Sequence, residues 1–511
     1  MSATPAHAAH GEIKHHGLIT LSLMLATIMQ VLDTTIANVA LPSMRADLGA
    51  SSDTINWVLT SYIVAAAIVT PLSGWLSERF GRKEVFVASV AGFVLTSMLC
   101  GIAWSLETMV LFRMAQGVFG AAIVPLSQTF LLDINPREKH GQAMALWGAG
   151  IMVGPIIGPT LGGYLTETLN WRWVFYINVP LGAIALAGCM AYLPNMARRI
   201  RRFDFAGFAF LALGVGALQL MLDRGAEVDW FESTEVWIET AVALTGFWCF
   251  VIWIMGKEHP FLDPRMFADR NFVTGLVFIF IVGIILLASL ALLPPMLSTI
   301  FGYPVITTGM VMAPRGVGTM VSMILAGKLV RVVDPRKLVA AGLLLTVLSL
   351  DIMTRFTPQM DATLIVVSGL VQGLGLGLVF VPLSTVAFAT IPAQFRGDAT
   401  ALFSLVRNIG SSIGISLVTV LLTHNTSINH SELASALTTE NLNALGSGGL
   451  AGYAPGTAAY LLERMVTVQA LMISYVDDFK AMMWVTLAAL PLTFVLRRPD
   501  PHAAAEAAVI E

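Results

Sequence analysis

Apolar residues in this chain gather into runs long enough to cross a bilayer, with short polar connections between them. A hydrocarbon core about 30 Å thick takes about 20 helical residues. Runs of that size fall near residues 18–41, 55–76, 85–104, 109–132, 143–165, 173–193, 205–222 and 236–255, then near 272–293, 308–330, 338–356, 362–387, 400–422 and 479–496. They predict an all-α polytopic membrane protein with fourteen spans and both termini on one side. The first run follows a polar stretch, residues 1–17, and continues to Leu41, longer than the apolar core of a cleavable leader, so it reads as a retained span.

Composition leaves room for little besides those spans. Of 511 residues, 56% are apolar and 12% charged, where soluble domains carry about a quarter charged. The net charge of −3 gives no reason to expect nucleic acid as a partner. Placement says more than the total. Of the 29 lysines and arginines, 20 fall in connections on the side of the termini and 6 on the other, while Arg113, Arg315 and Arg407 lie within spans. Cytoplasmic connections hold such an excess, so both termini are expected in the cytoplasm. Cys100, Cys189 and Cys249 sit in apolar runs and read as packing residues, and the nine histidines lie in tails or connections. No metal site is expected.

An internal repeat appears when Gln116-Gly117 is laid over Gln372-Gly373, an offset of 256 residues. Pro136 then meets Pro392, Gly141 meets Gly397, Gly154 meets Gly410 and Gly158 meets Gly414. The fourth and fifth spans thus resemble the twelfth and thirteenth. This predicts two related six-helix bundles, residues 18–194 and 257–498, with a linker and two inserted helices at 195–256. Tails occupy 1–17 and 499–511, and a long periplasmic connection runs over 424–478. Transporters built from parallel halves have this arrangement, which channels and membrane enzymes do not predict.

Two charges within spans carry candidate chemistry. An ionised carboxylate at the bilayer centre costs about 2.5–3.5 kcal/mol on insertion scales, so Asp33 is expected to face the protein interior with a partner or a proton. That makes it a candidate proton carrier; the alternative is a carboxylate fixed permanently by an ion pair or hydrogen bonds. Arg113 in the fourth span likewise needs a partner unless it snorkels. The position 256 residues later is Gly369, so the helix scaffold does not require an arginine there. In the fifth span, Gly150, Gly154, Gly158 and Gly162 recur at every fourth position with Gly163 beside them, letting another helix approach closely, while Pro155 and Pro159 remove backbone donors.

These stretches resemble one known family. Gly74-Trp75-Leu76-Ser77-Glu78-Arg79-Phe80-Gly81-Arg82-Lys83 resembles the cytoplasmic loop motif of the major facilitator superfamily, with Glu78 where aspartate is usual. The resemblance implies a charge latch at the cytoplasmic helix ends, broken when the inward gate opens. Leu111 to Gly117 resembles the superfamily's second motif, which implies a part for Arg113 in proton transfer. The fifth-span run from Gly150 to Gly163 is similar to the signature of superfamily antiporters. Leu32-Asp33-Thr34-Thr35 through Pro42, Trp171 to Pro180, Leu222-Asp223-Arg224-Gly225 and Ala313-Pro314-Arg315-Gly316 extend the likeness to fourteen-span drug:proton antiporters of the EmrB/QacA type over nearly the whole chain.

What the resemblance implies is a proton-driven efflux antiporter that exports hydrophobic or amphipathic compounds across a bacterial inner membrane. Export of one endogenous metabolite or lipid-like compound is the alternative. No cofactor is expected, and the phosphate-cradling sequence G-x-x-x-x-G-K-[S/T] is absent, so transport should not use ATP directly. An embedded enzyme is disfavoured because no nucleophile–base or metal-ligand cluster falls at membrane depth. The resemblance further implies an EmrA-like periplasmic adaptor and a TolC-like outer-membrane channel. Docking is placed on 424–478, a connection expected to be polar and Gly-rich at first and helical from near Thr457, where Leu461, Met465, Val468 and Met472 form one apolar stripe, unless that stripe belongs to an interfacial helix. Substrate contacts proposed from position alone are Gln30, Gln128, Arg315 and Asn408, each of which would equally serve helix packing.

Overall fold

The computed structural model describes residues 15–51, 53–196, 198, 201–437 and 455–496, and these are helical throughout, without a strand among them. The tail residues 1–14 and 499–511 and the polar stretch 438–454 of the long connection lie outside the described residues. Eleven helices are long and apolar enough to cross a membrane, twelve when one bent pair counts as a single span. Two more helices complete a set of fourteen. In chain order they are α1 (His16–Leu48), α2 (Trp57–Val69 with Leu72–Phe80), α3 (Arg82–Gly101), α4 (Leu106–Ile134), α5 (Arg137–Thr168), α6 (Trp173–Tyr192), α7 (Phe205–Arg224) and α8 (Thr234–Met255). Then come α9 (Arg270–Thr299), α10 (Val305–Leu329), α11 (Pro335–Met353), α12 (Ala362–Ala389), α13 (Arg396–Ser435) and α14 (Pro455–Ala489).

Proline explains where these helices break. The two pieces of α2 meet at 58° just at Pro71, whose ring excludes the backbone hydrogen bond that would carry the helix on. The fifth span is interrupted at Met152, where Pro155 leaves the Ile151 carbonyl without its helical donor. Most of the described part of the long connection is helix: α14 starts at Pro455, close to the helix expected from near Thr457, and α13 runs on to Ser435, where a polar connection was expected. The two extensions form a hairpin, joined by Asn429 donating to the Ser474 hydroxyl at 3.0 Å and by His430 with Glu463 at 2.9 Å. The expected stripe is kept in part. Met472 is buried and Leu461 and Val468 are half-buried, whereas Met465 is 54% exposed and Val466 and Ala470 are buried.

Within each bundle the helices pair in the same way. α1 lies against α5 and α6, and α2 against α4; correspondingly α9 lies against α13, and α10 against α12. The bundles meet where α5 crosses α10 and where the cytoplasmic ends of α2 and α4 reach α13. The inserted α7 clips onto both: Asp223 accepts from Thr60 of α2, and Gln219 donates to Ser412 of α13 at 2.7 Å. α8 leans on α7 through Gly214 and Gly246, where a side-chain carbon on Gly246 would come within 2.7 Å of the Gly214 nitrogen. Its far side displays Trp237, Leu244, Trp248 and Ile252, an apolar face suited to lipid.

Candidate functional site

Asp33, in the middle of α1, is 1% exposed, as is Arg113 of α4. One carboxylate oxygen accepts from Arg113 Nη1 at 2.7 Å. The other accepts from Gln116 Nε2 at 3.0 Å and from Asn178 Nδ2 of α6 at 2.7 Å. Arg113 in turn donates to the Val58 carbonyl at 3.1 Å and to Gln116 Oε1 at 2.7 Å, and its guanidinium lies 4.4 Å from the centre of the Tyr62 ring. Asn178 also donates to Ser97 of α3 at 2.9 Å. Five helices therefore converge on one carboxylate.

All three groups facing Asp33 are N–H donors, the environment an ionised carboxylate needs. These donors use three of the carboxylate's four acceptor positions, and a proton on Asp33 would remove the charge that strengthens all three contacts. The bonds that fix α1 against α4 and α6 are therefore ones that a proton weakens. Gln116 and Asn178 were visible in the sequence only as a repeat marker and as part of a longer likeness. Their polarity inside apolar spans was the available signal, and Gln116 stands three residues after Arg113 on the same helical face.

The fifth-span glycines supply the other half of this arrangement, since the helix they open toward is α1 itself. A side-chain carbon on Gly154 would lie 3.1 Å from the Leu32 nitrogen, and one on Gly158 would lie 2.9 Å from Thr35 Cβ. Gly150 faces Met24 and Gly162 faces Ile36, whereas Gly163 turns toward Val305 of α10. Pro155 and Pro159 stand among these glycines, and the helix resumes at Val153. α1 is held at backbone distance on both sides of Asp33, so its position depends directly on α5.

At the cytoplasmic ends the loop motif meets the C-terminal bundle. Gly74 leaves no room for a side chain, because its added carbon would lie 3.0 Å from the Asp398 nitrogen of α13. Arg201, from the linker before α7, donates to Asp398 at 2.7 Å and stands 3.7 Å from Glu78. It also donates to the Pro260 carbonyl at 2.9 Å. Beside this, Asp133 joins Arg82 of α3 and Arg396 of α13, the latter at 2.9 Å. Gly81 turns the chain with φ +105°, a conformation that favours glycine. Lys83 donates to the Met190 carbonyl at 2.8 Å, and Arg79 is exposed. The sequence reading had the loop's own residues and missed Arg201, Asp133, Arg396 and Asp398, which lie far away along the chain.

The four proposed substrate contacts lie on four helices, α1, α4, α10 and α13. Gln30 donates to the Tyr62 hydroxyl at 3.5 Å, which attaches it to the Asp33 cluster. Gln128 of α4 is fully buried, and neither end of its amide has a partner among the described residues. Arg315 is buried in α10 where that helix passes Gly369, and Asn408 is half-buried on α13.

The chain is similar to known proteins over most of its length. The family model described as the Major Facilitator Superfamily matches residues 23–415. The Multidrug export protein EmrB of Haemophilus influenzae is 38% identical over 83% of each chain. The Fatty acid resistance protein FarB of Neisseria gonorrhoeae is 33% identical over 94% of this chain and 96% of its own. Among solved structures, the proton:xylose symporter XylE bound to 6-bromo-6-deoxy-D-glucose matches with a TM-score of 0.56 at 14% identity, over 91% of this chain and 98% of that one. The last likeness is one of fold alone.

Proposed function

Because this chain belongs to the Major Facilitator Superfamily, with EmrB-like multidrug export proteins among its relatives, we propose that it is a proton-driven antiporter exporting hydrophobic or amphipathic compounds across a bacterial inner membrane. It is a multi-pass transporter and not an enzyme. The observation that carries the proton-driven reading is the buried Asp33–Arg113 pair with Gln116 and Asn178 as further donors. In the proposed cycle a proton from the periplasm neutralises Asp33, frees Arg113 and favours outward release of the compound. Loss of that proton to the cytoplasm restores the pair and the affinity for the next compound. Reciprocity requires that a substrate preferring the ionised state also lower the affinity for protons.

The glycine face of α5 supports the same cycle, since it lets α1 shift as one body. The contacts of Arg201 with Asp398 and of Asp133 with Arg82 and Arg396 support a cytoplasmic gate that opens and closes. The hairpin of α13 and α14 is the proposed docking place for an EmrA-like periplasmic adaptor leading to a TolC-like channel. The deciding experiment is flux of a lipophilic cation from proteoliposomes under an imposed pH gradient. Wild type should move the cation only with the gradient, and Asp33→Asn should abolish this while remaining folded. Gradient-driven flux retained in Asp33→Asn would falsify the assignment. The likeness to a fatty acid resistance protein favours a second reading, export of one lipid-like compound; transport restricted to long-chain carboxylates in a chemically mixed panel would select it.

A further inference from the structure

The repeat brings a second carboxylate into view that the proposed cycle does not use. The positions 256 residues after Asp33, Arg113 and Gln116 are Ser289, Gly369 and Gln372. Gln372 donates to Ser289 at 3.1 Å, as Gln116 does to Asp33, and the Met482 sulfur of α14 lies 4.0 Å from the same hydroxyl. One turn along α14 from Met482 stands Asp478, which is 0% exposed. Neither of its carboxylate oxygens has a hydrogen-bond partner among the described residues. Its neighbours on α14, Tyr475, Phe479 and Met482, belong to an apolar cluster that also includes Leu293, Met353 and Phe356.

Among the described residues no cation pairs with this carboxylate. α9 carries no titratable residue after Arg270, and Asp351 of α11 pairs at the surface with Arg355, just past the end of that helix, 2.7 Å away. On α13, His430 is engaged with Glu463, and His424 lies on the same extension; Asp361 stands just before α12. On its own helix the nearest ionisable groups are Asp477, Tyr475 and Lys480, and the lysine side chain is exposed. An ionised carboxylate left without a donor or a counter-charge in apolar surroundings costs several kcal/mol, and such a group takes up a proton instead. The charge can return only when α14 moves against α9 and α11 and lets water or a donor reach the oxygens.

We propose that Asp478 is a second proton-binding site of this transporter, located in the C-terminal bundle and loaded independently of Asp33. The proposal rests on the proton-driven reading and adds a site to it. The two acids have opposite surroundings. Asp33 faces three N–H donors, and Asp478 faces none among the described residues.

The test is infrared titration of the carboxyl C=O band of the full chain in lipid nanodiscs, together with the number of protons released on adding tetraphenylphosphonium. Asp478→Asn, close in shape to the protonated acid, should remove one titrating carboxyl component and lower the proton count about twofold. Asp478→Glu should keep the component at a shifted frequency, which keeps the proposal open to refutation if the asparagine variant does not fold. An unchanged carboxyl spectrum and proton count in Asp478→Asn, with Asp33→Asn still altering both, would overturn this proposal alone. Failure of both variants to alter them would overturn the proton-driven reading as well.

Discussion

In the N-terminal bundle α1 and α4 meet through a carboxylate and a guanidinium; in the C-terminal bundle the corresponding α9 and α12 meet through serine and glutamine alone. The glutamine is common to both, reaching its acceptor at 3.0 Å in one and 3.1 Å in the other. The scaffold therefore accommodates this crossing without charge, and the ion pair is an addition to it. Where Arg113 stands in one half, Gly369 in the other lets α10 and α12 close up, with Arg315 Cβ 3.4 Å from the place its side chain would take. One half is packed for shape at this crossing, and the other keeps a buried charge pair whose worth lies in being broken and remade.

Five substitutions break or sharpen that contrast. Arg113→Ala has the largest expected effect, since it leaves Asp33 buried without its cation; removing one partner of such a pair costs about 3–5 kcal/mol. Thermal unfolding in detergent should show the loss greatest at alkaline pH and reduced as the pH falls. The sign follows because a proton on Asp33 removes the uncompensated charge. Ser289→Asp imports the carboxylate into the C-terminal half without an arginine opposite it, and about 2.5–3.5 kcal/mol should be lost. A stability equal to wild type at pH 8 would mean that the C-terminal half already offers a counter-charge.

Asn178→Ala removes one charge-assisted hydrogen bond and keeps the ion pair, for a loss of about 1.5–3 kcal/mol. Its flux should remain dependent on the pH gradient, with a shifted pH midpoint, and gradient-independent flux would show that Asn178 is essential to coupling. The smallest effect is expected from Gln372→Leu. It deletes one neutral hydrogen bond and also a carbonyl oxygen that is buried without a partner, so the net change should be under about 1 kcal/mol. Gln116→Leu at the matching position should cost visibly more, and equal losses would remove the distinction between the halves.

Much of the fold was legible because a bilayer punishes exposed backbone polarity and rewards long apolar helices. Asp33 and Arg113 stood out for the same reason, as charges where charge is expensive. Gly74 and the glycines of the fifth span were readable by their spacing, though the spacing did not name the helix they receive. Three things were hidden. Gln116 and Asn178 are neutral, so neither interrupts its span enough to be singled out. Arg201 looks like any other linker cation until Asp398, 197 residues further on, is placed beside it. The length of α13 beyond the membrane was masked by its polar composition, because a helix in water needs only one apolar side.

By itself the sequence determined that the chain is a bundle of spanning helices in two related halves, with an acid in its first span and an antiporter-like fifth. Periodicity, hydropathy and spacing are local properties, and the membrane turns them into helices whatever lies next to them. Only the tertiary structure decided that Asp33 belongs to Arg113, Gln116 and Asn178, that the glycine face of α5 receives α1, and that Asp478 stands without a partner. Those are facts about which helix faces which, and a helix carries its faces in its sequence but not the identity of its neighbours.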